Sequence, residues 1–100
     1  MDKVIKLIVL TSKEILLSEI EEVGAEIGEP DCKLINPVVL HTTDDKFTIE
    51  EGKVTLTKWL SSFTHDNTFM ISSDKIITLA EIAPQILEKY IGLVNKNKLP

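Results

Sequence analysis

The sequence contains no arginine, and its basic residues are eleven lysines distributed over 100 positions. Arginine is the side chain best suited to bidentate recognition of phosphates and base edges. The formal net charge of −5 further opposes attraction to the phosphate backbone of a nucleic acid. We therefore expect no binding to duplex DNA, and any nucleic-acid site has to be local.

Cysteine and long apolar runs are also scarce. Cys32 is the single cysteine, so an intrachain disulfide is excluded, which fits a reducing compartment or indifference to redox state. No apolar run approaches the roughly 20 residues of a membrane-spanning helix, and the N-terminal residues lack the pattern of a signal peptide. We therefore expect a cytoplasmic protein that does not interact with membranes.

Groups that typically perform catalysis or bind metals form no recognisable constellation. His41 and His65 lie in different segments, and neither has a second ligand at metal-binding spacing. General acid–base pairs need facing positions, whereas the acid pairs here are sequence neighbours, and no glycine-rich phosphate-binding motif is present. We predict a non-enzymatic protein without metal or cofactor. The acid pairs are Glu21-Glu22, Asp44-Asp45 and Glu50-Glu51.

The remaining composition is that of one small globular domain. Hydrophobic residues make up 43% of the chain and charged residues 27%, which allows a single core that needs no metal or disulfide. Trp59, Phe63 and Phe69 are expected in this core rather than on a surface for base stacking.

The clearest segment is a predicted β-hairpin near the N-terminus. Residues 4–10 form a β-branched apolar run, the polar link Thr11-Ser12-Lys13-Glu14 has the length of a turn, and residues 15–23 return to apolar positions. The second arm also fits helical spacing. We favour a strand because the link is short; a helix there would replace the hairpin by an α+β domain.

Further β segments follow a loop at residues 24–31 that contains two glycines and a proline. Residues 32–42 form a strand in which Pro37 predicts an edge, a bulge or a bend. Residues 53–63 alternate in polarity and predict a strand that is disturbed near Trp59-Leu60.

A second hairpin is predicted over residues 68–81, where the apolar–polar–apolar plan of the first hairpin returns with Ser72-Ser73-Asp74-Lys75 as its turn. The tail differs, because Pro84 can open a helix and apolar residues then recur at three- and four-residue spacing. The predicted helical face consists of Ile86, Leu87, Tyr90, Ile91 and Val94.

These segments predict a mainly-β protein: a small five-stranded, bent antiparallel barrel of the SH3-like or OB class with a C-terminal α-helix. The barrel domain spans residues 1–83 and includes a variable loop at about 43–67. The helix spans residues 84–100 and packs on or beside the barrel.

The order of the segments resembles the Sm/Lsm family, over residues 4–82. Residues 8–16 resemble the opening hairpin, and residues 34–40 resemble the strand that carries the first Sm motif, with Asn36 at the motif's asparagine. Residues 69–79 resemble the second motif, in which Ser72-Ser73 replaces the usual Arg-Gly pair. The chain also resembles small uncharacterised proteins of marine phages.

The Sm resemblance implies a ring in which the fourth strand of one subunit pairs with the fifth strand of the next. It also implies a nucleic-acid site between the two motif loops, where single-stranded RNA bases would bind. Lys33 or Lys75 would meet phosphate. Carried over residue by residue, the site positions are Ile35, Asn36, Ser72, Ser73, Asp74 and Lys75.

Two functions remain open from the sequence. The favoured one is a homo-oligomeric, Sm-like ring that serves as a scaffold or protein-interaction module, because the chain is acidic and lacks arginine. The alternative is a ring that binds single-stranded RNA.

Overall fold

The computed structural model describes residues 4–42 and 54–98. In this part the chain forms six strands, a 3₁₀ turn at Ser73–Lys75 and one helix. The strands are β1 (Ile5–Leu10), β2 (Ile15–Glu22), β3 (Cys32–Thr42), β4 (Val54–Lys58), β5 (Thr68–Ile71) and β6 (Ile76–Ala80), and the helix is α1 (Pro84–Lys98). The acid pairs Asp44-Asp45 and Glu50-Glu51 lie outside the described residues.

All six strands belong to one antiparallel sheet with the order β4-β3-β2-β1-β6, and β5 pairs with β3 beyond the end of β4. The mainly-β class and the C-terminal helix are confirmed. The number of five strands is wrong, because β4 and β5 pair with successive parts of β3 and are separated by a turn in which Leu60 has a φ of 60°. No pairing among the described strands joins β6 to β4 or β5, so the sheet is open.

The predicted hairpin at the N-terminus is present as β1 and β2. The Leu10 amide donates to the Glu14 carbonyl over 3.0 Å, and the Lys13 amide donates to the Leu10 carbonyl over 2.8 Å. Lys13 has a positive φ of 75°, which several types of tight turn require at a central position. The preference for a strand over a helix at residues 15–22 is therefore confirmed.

The predicted second hairpin is wrong, because β5 and β6 are not partners. β5 pairs with β3, whereas β6 pairs with β1 at the opposite end of the strand order. The 3₁₀ turn joins them, and its Lys75 carbonyl accepts a 2.8 Å hydrogen bond from the Thr11 amide. An apolar–polar–apolar pattern does not distinguish a hairpin from a turn that connects two strands at opposite ends of the strand order.

The bend predicted at Pro37 is confirmed as a bulge. Asn36 has a φ of 54°, and Asn36 and Pro37 lie opposite the single residue Ser18 in the β2–β3 ladder. The hydroxyl of Ser18, which is fully buried, lies 3.1 Å from the Ile35 carbonyl and 2.8 Å from the Glu19 carbonyl. A buried hydroxyl therefore compensates for the interrupted ladder.

Apolar residues form a cluster on each face of the sheet. On one face, Ile86 and Tyr90 of α1 pack with Leu17, Val38 and Val54. Full burial of one such side chain contributes about 1.5–3 kcal/mol, so this contact fixes the helix to the sheet. Leu87 and Val94 of the predicted helical face also pack here, whereas Ile91 is 42% exposed.

The second cluster explains the curvature of the sheet. Ile8, Leu16 and Leu34 are fully buried on the face opposite the helix. Trp59 and Ile71 reach this cluster from one end of the strand order, and Ile76 of β6 reaches it from the other end. Both ends can contact one cluster only if the sheet bends around it.

Replacement of Tyr90 by phenylalanine tests the link between the helix and the bulge. The Tyr90 hydroxyl donates to the Asn36 carbonyl over 2.9 Å, and the residue is 3% exposed. Tyr90→Phe leaves a partly buried carbonyl without this donor, so the free energy of unfolding in urea should fall by about 1–2 kcal/mol. Thr55→Val removes an exposed hydroxyl and should change it by less than about 0.5 kcal/mol. Equal stability of the two variants would contradict the assignment.

Candidate functional site

A concave surface of the described residues lies between β6 and the second half of β2. It has a volume of about 920 Å³, and its walls are mainly apolar. We call it the β6 groove. Its apolar lining includes Val4, Ile20, Ile76, Ile77 and Leu79, and its charged lining consists of Lys6, Glu19, Glu21 and Glu22.

The strand beside this groove has an exposed apolar edge. β6 pairs only with β1 among the described strands, so its other side can hydrogen-bond to a further strand. Ile77 is 62% exposed and Leu79 is 47% exposed. An unpaired edge with large apolar side chains is typical of strand-addition sites, because isolated proteins usually blunt such edges with charge or cover them.

The opposite end of the sheet also has a free edge, formed by β4 and β5. Both strands pair only with β3 in the described part of the chain. Met70 on β5 is 47% exposed, and Lys58 at the end of β4 is exposed. We call this the β4–β5 edge.

A hydrogen-bonded contact ties the start of β3 to the 3₁₀ turn. The amide and the hydroxyl of Ser73 each donate to the Asp31 carboxylate over 2.7 Å, to Oδ1 and Oδ2 respectively. These two bonds hold the pKa of Asp31 below its usual value. Ser73 lines the β6 groove. The Asp31–Ser73 contact therefore fixes the position of one end of the groove wall.

Cys32 follows Asp31 and is 5% exposed. Burial, and then the charges of Asp31 and Glu22, raise the pKa of its thiol, which lowers the thiolate fraction. Cys32 therefore packs as a small buried residue in this structure.

The predicted site residues lie at two different places. Ile35 and Asn36 lie at the bulge, where their carbonyls are within 3.4 and 2.9 Å of the Tyr90 hydroxyl, and the Asn36 amide donates to the Asn67 carbonyl. Ser72, Ser73, Asp74 and Lys75 lie in and before the 3₁₀ turn. Cys32 pairs with Ile71, so about four residues of strand, roughly 13 Å, separate the turn from Asn36. The residue that meets Ser73 is Asp31.

The phenol of Tyr90 extends from α1 to the bulge, where its hydroxyl donates to the Asn36 carbonyl. Burial raises the pKa of Tyr90 to about 12, so the hydroxyl stays protonated and donates across the neutral range.

The aromatic residues divide between core and surface. Trp59 packs on the second apolar cluster and meets Phe69 edge-on, with ring centroids 5.4 Å apart; its Nε1 donates to Glu14 over 3.2 Å. The prediction of a core role for Phe63 is wrong, since Phe63 is 87% exposed in the β4–β5 connection. Its neighbours Ser61, Ser62 and Thr64 are polar, which is a local signal for a surface position.

The described residues contain no cluster of side chains that could bind a metal ion. His41 and His65 are exposed, and the Nε2 atom of His41 lies 3.1 Å from the Thr57 hydroxyl. Within residues 4–42 and 54–98, no three His, Cys, Asp or Glu side chains are close enough to hold a metal. No helix of the same ranges is long and apolar enough to span a membrane.

The Asp31–Ser73 contact predicts a specific pH dependence. A lowered pKa in the folded state contributes stability above the unfolded value of about 4, and this contribution is lost as the pH falls through the folded value. Asp31→Asn should therefore lower the urea midpoint at pH 7, and the difference from the wild type should shrink as the pH falls below the unfolded value of about 4. Asp74→Asn makes the same charge change at a neighbouring exposed residue and should leave the midpoint unchanged. A constant difference at all pH values would refute an ionic contribution.

Comparison of the chain with known protein families identifies a matching family. No curated protein matches the chain. A family model described as a family of unknown function, DUF6561, matches residues 3–95, which include every strand and most of α1. The chain is therefore a member of the DUF6561 family.

Proposed function

We propose that the protein is a non-enzymatic module that forms a homo-oligomeric ring on the Sm-like plan and acts as a scaffold for protein interactions. In this assembly the β6 edge of one copy pairs with the β4–β5 edge of the next copy. Each contact extends the sheet from one subunit into its neighbour.

The observation that carries this proposal is the pair of edges at opposite ends of one bent sheet, each without a further partner among the described strands. Edge strands with unpaired amides and carbonyls favour pairing with another chain. When one edge of a molecule pairs with the other edge of the next molecule, the contact is head-to-tail. Repeated head-to-tail contacts form a closed ring when the rotation between neighbouring copies divides a full turn evenly. Ile77 and Leu79, exposed beside the β6 edge, would become buried in it.

The chain order of the edges supports the Sm-like plan. In that plan the fourth strand of a subunit pairs with the fifth strand of its neighbour. Here β4 and β5 lie at one end of the strand order and would act as the fourth strand, and β6 lies at the other end and would act as the fifth. The bend of the sheet around Ile8, Leu16 and Leu34 also agrees with a barrel whose remaining gap lies between these two edges.

Self-assembly is tested by light scattering coupled to size-exclusion chromatography at micromolar concentration. The wild type should have a mass of several subunits, and Ile77→Asp should reduce it to the mass of one, because a charge is placed on the buried edge. Ile27→Asp is the matched control, since Ile27 is fully exposed in the β2–β3 connection. A wild type that is strictly monomeric would overturn the proposal.

Single-stranded RNA remains the alternative partner, at Asn36 and the turn Ser72–Lys75. Lys75 is exposed in that turn, which favours contact with phosphate. The carboxylates of the β6 groove and the net charge of −5 oppose it.

A fluorescence anisotropy titration with a labelled uridine-rich RNA separates the two functions. A protein-interaction ring predicts no binding even at low salt. Binding that weakens steeply as salt rises, and that Lys75→Glu reduces more than Lys89→Glu on the exposed face of α1, would establish the RNA function instead.

A further inference from the structure

The β6 groove carries an excess of negative charge. Its lining includes Glu19, Glu21 and Glu22, whereas Lys6 is the one lysine among the described residues that line it. Lys6 is already engaged in an ion pair with Glu81. The groove therefore offers carboxylates to whatever enters it, beside an apolar floor.

Glu22 is an exposed carboxylate of this lining that faces no charged residue across the β2–β3 ladder. Its cross-strand neighbour in β3 is the uncharged Cys32, whereas Glu21 lies opposite Lys33. Glu22 is exposed, and no ion pair within the described residues includes it. Its charge remains available to a second molecule.

The β4–β5 edge has the opposite character. Neither strand contains a carboxylate, and β4 ends with the exposed Lys58, whose cross-strand neighbour is the apolar Val38. Lys33 lies beside Met70 of β5 in the adjoining strand. Asp66 is the one carboxylate in the connection between β4 and β5, and it lies outside both strands.

We propose that charge directs the assembly: the acidic β6 groove of one copy receives the lysine-bearing β4–β5 edge of a second copy. This inference rests on the self-assembly proposed above and names the charges that favour its head-to-tail contact. Contacts between two acidic grooves, or between two lysine-bearing edges, bring like charges together and are disfavoured. The net charge of −5 on each copy adds a general repulsion, so only the complementary edges associate.

Charge complementarity predicts salt-sensitive assembly and a reciprocal rescue. Glu22→Lys places a lysine in the β6 groove, so both the groove and the β4–β5 edge then carry lysine. Lys58→Glu places a carboxylate on the β4–β5 edge, so both surfaces then carry carboxylates. Each variant alone should self-associate at least tenfold more weakly than the wild type at about 50 mM salt. In an equimolar mixture the contacts between unlike variants join a lysine to a carboxylate, so the mixture should form oligomers by light scattering at concentrations where neither variant does so alone.

The matched controls are Glu88→Lys and Lys89→Glu, which make the same charge changes on exposed positions of α1. Each alone should keep the wild-type mass. Circular dichroism of the variants establishes that loss of assembly is not loss of folding, and the rescue in the mixture itself requires folded subunits.

The outcomes separate this inference from the proposed function. A monomeric wild type overturns both. A wild-type oligomer that the two swaps leave unchanged, or two weakened variants that fail to recover when mixed, refutes direction by charge and leaves self-assembly standing.

Discussion

The bulge at Asn36 and Pro37 is the constraint on which the remaining structure depends. It interrupts the ladder between β2 and β3, and an interrupted ladder leaves backbone groups that must find other partners. Ser18 supplies a hydroxyl from within the sheet, Tyr90 supplies one from the helix, and the Trp59 amide donates to the Pro37 carbonyl over 3.0 Å. Three separate elements are thereby fixed to one point.

The bulge also divides the edge of the sheet. Before it, β3 pairs with β5, and after it, β3 pairs with β4. The chain leaves the sheet between these two strands and returns at Asn67, whose carbonyl accepts the Asn36 amide. The resulting change of direction lets both ends of the strand order pack on the cluster of Ile8, Leu16 and Leu34.

Local sequence patterns predicted the elements well and their partners less well. The first hairpin, the bend at Pro37 and the helix at Pro84 each depend on residues within a few positions of one another, and all three are present. The pairing of β6 with β1 depends on which edge is free elsewhere in the sheet, and no local pattern encodes that. Asp31 illustrates the same limit, because its partner Ser73 is adjacent only after both strands have paired with their neighbours.

The candidate site was accessible to sequence reasoning only in part. Ser73 was among the predicted site residues, but the groove beside it was not foreseen. The apolar pair Ile76-Ile77 was a usable signal, because a strand that is apolar at successive positions must cover both of its faces. Of this pair, Ile76 packs on the second apolar cluster and Ile77 is 62% exposed.

The β1–β6 ladder has a consequence for how the chain folds. It joins residues about 70 positions apart, such as Leu7 and Ala80, and pairings of such long sequence separation form slowly. Until they form, Ile76 and Ile77 belong to an unpaired strand, which is the type of segment from which aggregates grow. Mutual repulsion between acidic chains then lengthens the time available for β6 to find β1 before it meets another molecule.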